Sequence, residues 1–182
     1  DGVLSHRIRE LSDMFSYGDY YKLALKDAKR AEEMIQSCSF TYLGVYALET
    51  KEAVKAKGYL KEAVQIDNKN VSAYRWLTEV LNSLSADKTE ILQIFYEAIT
   101  LYPPNLSHLL PIGVKAELGK KNIKKASTLL NNWVLYHLRV REPSGKLLPL
   151  HEGSLKILND NKLLLKKWIS KEFEKLKSEM VS

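Results

Sequence analysis

The sequence predicts an all-α chain, a solenoid of about four helical hairpins closed by a C-terminal helix. Three observations carry that expectation. Gly and Pro number only 8 and 5 of 182 residues, and the segments between them are rich in Ala, Leu, Lys and Glu, the good helix formers. A pair of positions seven apart recurs as Ala24 and Ala31, Ala56 and Ala63, Ile91 and Ala98, then Ala126 and Trp133, in steps of 32, 35 and 35 residues. An anchor at Leu11, Leu43, Leu77 or Ile112 precedes each pair by 13 or 14 residues.

Within each copy a turn signal separates anchor from pair: Gly18-Asp19, Glu49-Thr50, Ser85-Ala86-Asp87, and Gly119 to Asn122. Each copy therefore reads as two helices joined by a short turn. Small residues belong where the backbones of stacked helices nearly touch. In the fourth copy Pro111 falls about one turn into a helix, where it removes a backbone donor and is expected to kink the helix or push its start downstream. Beyond His137 the pattern stops, and Arg141-Glu142-Pro143-Ser144-Gly145 reads as a loop. A short helix is expected around Gly153 to Leu158. A final one, about Asn161 to Met180, has its stripe in Leu164, Leu165, Trp168, Ile169, Phe173, Leu176 and Met180. Its expected role is a cap over Leu130 and the oversized Trp133, through Trp168 and Phe173, because a solenoid end needs a cover with a polar outer side. Residues 1–140 form the array, and 141–182 the linker and cap of the same domain. At this length one core is the expectation.

The second copy, from Ser37 to Asn70, carries Phe40, Leu43, Gly44, Ala47, Ala56, Leu60, Ala63 and Asp67. The first carries Gly18, Asp19, Tyr20, Ala24, Ala28 and Ala31. The third has Tyr74, Leu77, Phe95, Ala98 and Pro103; the fourth has Ile112, Gly113, Ala116, Gly119 and Ala126. These residues resemble the tetratricopeptide repeat, in degenerate form, over about residues 4–140. The resemblance implies that the first helix of each hairpin lines a concave face that holds a partner peptide or helix. On that register the face comprises Arg9, Asp13, Tyr17, Val45, Leu48, Arg75, Glu79, Asn82, Leu110 and Val114, with Thr41 at an equivalent position. Family members that clamp an acidic chaperone C-terminus use lysine, asparagine and arginine, and the matching positions here are Arg9, Asp13, Tyr42, Ser72 and Trp76. Asp13 would repel a carboxylate, so that activity is set aside.

The formal charge is +6, but lysine and glutamate interleave along much of the chain, the mark of a solvated helix face. The densest basic run is Lys120, Lys121, Lys124 and Lys125, at a turn and helix start where an anion could bind. Cys38 is the only cysteine, which excludes an internal disulfide. On the repeat register it neighbours His6, although no third group is evident to orient the histidine. The histidines show no metal-ligand spacing, and no phosphate loop, nucleophile elbow or carboxylate pair appears. The expectation is a binding module without metal, cofactor or catalytic residues: a scaffold for a protein or peptide partner. The alternative is a helical-repeat module binding RNA or phosphate through the four lysines. A weaker alternative is a soluble domain appended to a membrane protein, since the chain begins at Asp1 and not at Met. An intracellular, soluble setting is favoured over a periplasmic or membrane-appended one, and no stretch reaches the ~18 apolar residues of a membrane span.

Overall fold

A computed structural model describes the backbone of residues 28–139 and 152–181, and the side chains of residues 30–138 and 152–174. Among the described residues the chain is all-α, as expected, with eight α-helices. It divides into two compact units, residues 1–77 and 78–182, with one helix running across the boundary.

In the first unit, α1 (Ala28–Glu49) packs on α2 (Ala53–Ile66). Helix α2 buries Ala56, Leu60 and Ala63 completely. A Cβ at Gly44 would stand 2.6 Å from Leu60 Cγ, so this glycine is what lets the helices close. The repeat register divides α1 near Ser37, between the end of one copy and the start of the next. The helix instead runs through as one rod, because residues 32–37 contain neither Gly nor Pro to stop it. The first copy's own turn at Gly18-Asp19 lies outside the described residues.

The loop after α2 is fixed to α1 by buried polar groups. Asn70 Nδ2 donates to Ser37 Oγ at 2.8 Å and to Thr41 Oγ1 at 3.0 Å, and its Oδ1 accepts from Ala73 N, capping α3 (Val71–Ser83). Ser37 Oγ passes the bond on to Ala63 O at 2.7 Å, and Arg30 pairs with Asp67. Every member of this buried cluster has a partner, so it fixes the loop without the penalty of an unsatisfied polar group.

Three hairpin turns share one backbone solution. Lys51, Ser85 and Lys121 all adopt positive φ, at 63°, 52° and 60°. In each turn the next N–H reaches five residues back, Glu52 to Ala47 O, Ala86 to Leu81 O and Asn122 to Glu117 O. The positive-φ residue itself bonds three back, to Leu48, Asn82 and Leu118. This is the Schellman closure of a helix end. Only the middle turn carries an extra residue, Ala86, before its cap Asp87, whose side chain accepts from Thr89 N at 2.7 Å.

In the second unit, α4 (Lys88–Leu101) ends two residues before Pro103, and a 3-10 turn (Pro103–Asn105) leads into α5 (Leu106–Gly119). Phe95 of α4 is fully buried over Gly113 of α5, where a Cβ would meet its Cζ at 2.3 Å. Helix α5 neither breaks nor starts late at Pro111. Proline cannot donate to the carbonyl four residues back, that of Ser107, and Ser154 Oγ donates to it instead at 2.5 Å. Ser154 lies on α7 (Glu152–Asp160), which packs on α5 and buries Leu158.

Helix α6 (Ile123–Arg139) buries Leu130 and Trp133, and α8 (Lys167–Val181) packs on it. Two expectations for this end need correcting. The final helix begins at Lys167, not near Asn161, because the approach is tied to α6: Ser127 Oγ donates to Leu164 O at 2.6 Å and Lys166 N to Asn131 Oδ1 at 3.0 Å. The buried residues of α8 are Ile169 and Phe173, each 1% exposed, whereas Trp168 is 54% exposed and faces solvent.

Candidate functional site

Helix α1 hides one face and exposes the other. Ser37, Thr41, Gly44 and Ala47 are buried, while Ile35, Leu43 and Tyr46 are 68%, 45% and 65% exposed, with Tyr42 beside them. Spacings of eight and three residues put Ile35, Leu43 and Tyr46 on one side of a 3.6-residue helix, and the rim is polar, with Glu32, Gln36 and Glu49. The groove register missed this row. It read Leu43 as an interior anchor and Thr41 as groove-lining, whereas Asn70 holds Thr41 inside. The apolar spacing along residues 35–46 is the signal that could have found it.

The predicted groove residues are not equivalent. Val45 and Leu48 on α1 are half-buried, as are Arg75, Glu79 and Asn82, which lie a turn apart on one side of α3. The Arg75 guanidinium carbon stands 5.3 Å from the ring centroid of Trp76. Leu110 and Val114 are both fully buried, so they belong to the core of the second unit and offer nothing to a partner. They sit inward because they flank Gly113, the face of α5 that closes on Phe95. Arg9, Asp13 and Tyr17 lie outside the described residues.

Cys38 is half-buried, and burial, with Asp67 adding, pushes its thiol up to about 11. It stays protonated at neutral pH and is a poor nucleophile. His6, its expected neighbour, lies outside the described residues. The other nucleophile beside a histidine is Ser107, whose Oγ shares a 3.0 Å hydrogen bond with His137 Nε2. His137 is 2% exposed, its ring lies tilted against Trp133 with centroids 4.3 Å apart, and its pKa is lowered to about 4 by burial. No carboxylate bonds to it among the described residues, so the pair lacks the orienting acid of a catalytic triad. Nor does any group of three metal-ligating side chains occur among them.

The basic run proves larger than its sequence segment. Lys120, Lys121, Lys124 and Lys125 are all exposed, and the α3–α4 turn brings Lys88 to join them. Lys88 Nζ donates to Gly119 O at 3.4 Å and Lys120 Nζ to Thr89 Oγ1 at 2.9 Å. Gly119 lies under the flexible end of the Lys88 side chain: a Cβ there would meet Lys88 Nζ at 2.5 Å. Beneath the turns the fully buried Glu117 accepts from Tyr96 OH at 2.6 Å and Asn122 Nδ2 at 2.8 Å, with Lys125 Nζ 5.8 Å from the Tyr96 ring centroid.

No described helix is long and apolar enough to cross a membrane. No protein-family model matches the chain, and comparison with curated proteins gave no match.

Proposed function

We propose that the chain is a protein-interaction scaffold that takes a partner helix or peptide on the first helices of its hairpins, α1 and α3. The observation that carries this is the exposed row of Ile35, Leu43 and Tyr46 on α1. Exposed apolar side chains on one side of a helix, with polar residues such as Ser39 and Gln36 among and around them, are what a partner's amphipathic helix buries, and tyrosine is favoured in such contacts because it supplies large area at small entropic cost. Half-exposed Arg75 offers a charged contact on α3. The tetratricopeptide resemblance points the same way, since hairpins of that family recognise peptides through their first helices.

The test is capture of partners from a lysate of the source cells by the full chain, its Leu43→Asp/Tyr46→Asp variant and its Arg75→Glu variant. Leu43 and Tyr46 are exposed, so the double variant keeps its helical circular dichroism and loses the captured protein, while Arg75→Glu weakens capture by ~1 kcal/mol or more. Undiminished capture by both variants refutes the assignment. So does a Lys121→Glu variant that alone abolishes it.

A further inference from the structure

The lysines of the two neighbouring turns form a surface that the α1 reading does not use. We infer that Lys88, Lys120, Lys121, Lys124 and Lys125 form a docking site for an acidic peptide segment of a partner protein. Two basic side chains elsewhere are paired with carboxylates, Arg30 with Asp67 and Lys55 with Glu52. Among the described residues no carboxylate lies within ion-pair distance of any of these five. The carboxylates close by are committed elsewhere: Glu117 is buried under Tyr96 and Asn122, and Asp87 is turned to the α4 N-terminus, where bonds from Thr89 hold it below the usual carboxylate range.

Five like charges gathered with only Asp87, among the described residues, acting as a counter-charge, on Lys120, repel one another, and a polyanion relieves that repulsion. The arrangement is also held in place. Lys88 lies across Gly119, Lys120 is bonded to Thr89, and the Schellman closure fixes the backbone at Lys121, so part of the ordering entropy is spent before a ligand arrives. The α6 N-terminus adds its free N–H groups beside Lys124 and Lys125, with no acidic residue in its first turn.

The choice of a peptide over a nucleic acid rests on two features. The cluster contains no arginine, the residue suited to bidentate grip on phosphate. Its aromatic neighbour Tyr96 is half-buried, bonded through its hydroxyl to Glu117 and approached on its ring by Lys125, which leaves no free platform for base stacking. Carboxylates spaced along a peptide need only point charges, which lysines supply.

The experiment uses the full chain and two fluorescein-labelled probes, a glutamate-rich peptide and a single-stranded oligonucleotide of equal charge, read by anisotropy at several salt concentrations. The peptide should bind more tightly than the oligonucleotide, and Lys121→Glu/Lys124→Glu should weaken it about tenfold or more. A control with the same change of net charge at exposed lysines elsewhere, Lys156→Glu/Lys171→Glu, should change it by less than about twofold. An oligonucleotide that binds more tightly, a control that weakens binding as much, or a peptide that does not bind overturns the inference. The binding of these probes is read independently of the α1 surface, whereas a Lys121→Glu variant that alone abolished lysate capture would favour this site over α1.

Discussion

Replacing Gly113 with alanine tests the close approach on which the α4–α5 packing depends. The new Cβ would lie 2.3, 2.6 and 2.7 Å from Phe95 Cζ, Cε2 and Cε1, so the whole tip of the ring stands over the glycine. Carbon atoms prefer separations of about 3.5–4.0 Å, so ring or helix must shift by about 1 Å. Phe95 is fully buried and has no free direction. Overpacking of this kind costs about 1–3 kcal/mol, while alanine recovers about 1 kcal/mol of helix propensity. The expected net loss is up to about 2 kcal/mol, a fall of up to roughly 8 °C in Tm for a chain this long. Urea unfolding followed by far-UV circular dichroism measures it. Gly58→Ala is the control, because nothing stands within 4 Å of its Cβ position, and it should gain up to about 1 kcal/mol. Phe95→Leu combined with Gly113→Ala should lose less than the sum of the two single changes, since the shorter side chain makes room. If Gly113→Ala is as stable as the parent, the close approach is not what the glycine is for.

Three further outcomes follow from the geometry. Ser154→Ala should cost about 1–2 kcal/mol by leaving Ser107 O without its donor, but little in a Pro111→Ala background, where a restored N–H can take that carbonyl; equal cost in both backgrounds would refute the pairing. Lys121→Gly should raise stability by about 0.5–1 kcal/mol and Lys121→Val lower it, because a positive φ of 60° strains any residue with a Cβ; a thermal melt decides. His137 titrates near 4 when folded and near 6.5 when unfolded, so as pH falls from about 6.5 the unfolded chain takes up the proton first. Stability should drop by about 3 kcal/mol by pH 4 and this contribution should then level off, while His137→Asn shows a shallower slope in urea unfolding at several pH values.

Periodicity made the helices legible, and the limits of the reading have physical causes. Spacing located the turns at Glu49-Thr50, at Ser85 and at Gly119 to Asn122, since helix ends need residues that tolerate a left-handed or capping backbone. Which residue takes the left-handed position was not legible. In the last turn it is Lys121, while Gly119 lies under the flexible end of the Lys88 side chain, a contact set by a neighbouring turn and invisible in the local sequence. The same limit affected Pro111, which leaves the Ser107 carbonyl without a helical donor; Ser154, forty-seven residues from Ser107, donates to it instead. For the site, repeat register placed Arg75, Glu79 and Asn82 on α3 but put Leu110 and Val114 on an open surface. Register gives the side of a helix and not what is packed there.

How the exposed surfaces are distributed bears on function. A stacked helical array leaves an apolar face wherever a neighbour is missing, and such a face must be covered or used. In the second unit α6 is covered within the chain: α8 packs on it, Ile169 and Phe173 are buried, and the approach to α8 is bonded to Ser127 and Asn131. Trp168 turns outward, so burial there is selective along the helix. In the first unit α1 keeps Ile35, Leu43 and Tyr46 exposed while its opposite side is held by α2 and by the Asn70 network. That network makes the exposure structural. Rotating α1 to hide Tyr46 would pull Ser37 and Thr41 away from Asn70 and leave buried polar groups without partners, at roughly 1–3 kcal/mol for each. The helix is therefore held with its apolar row outward, a geometry that costs solvation as long as the row stays exposed.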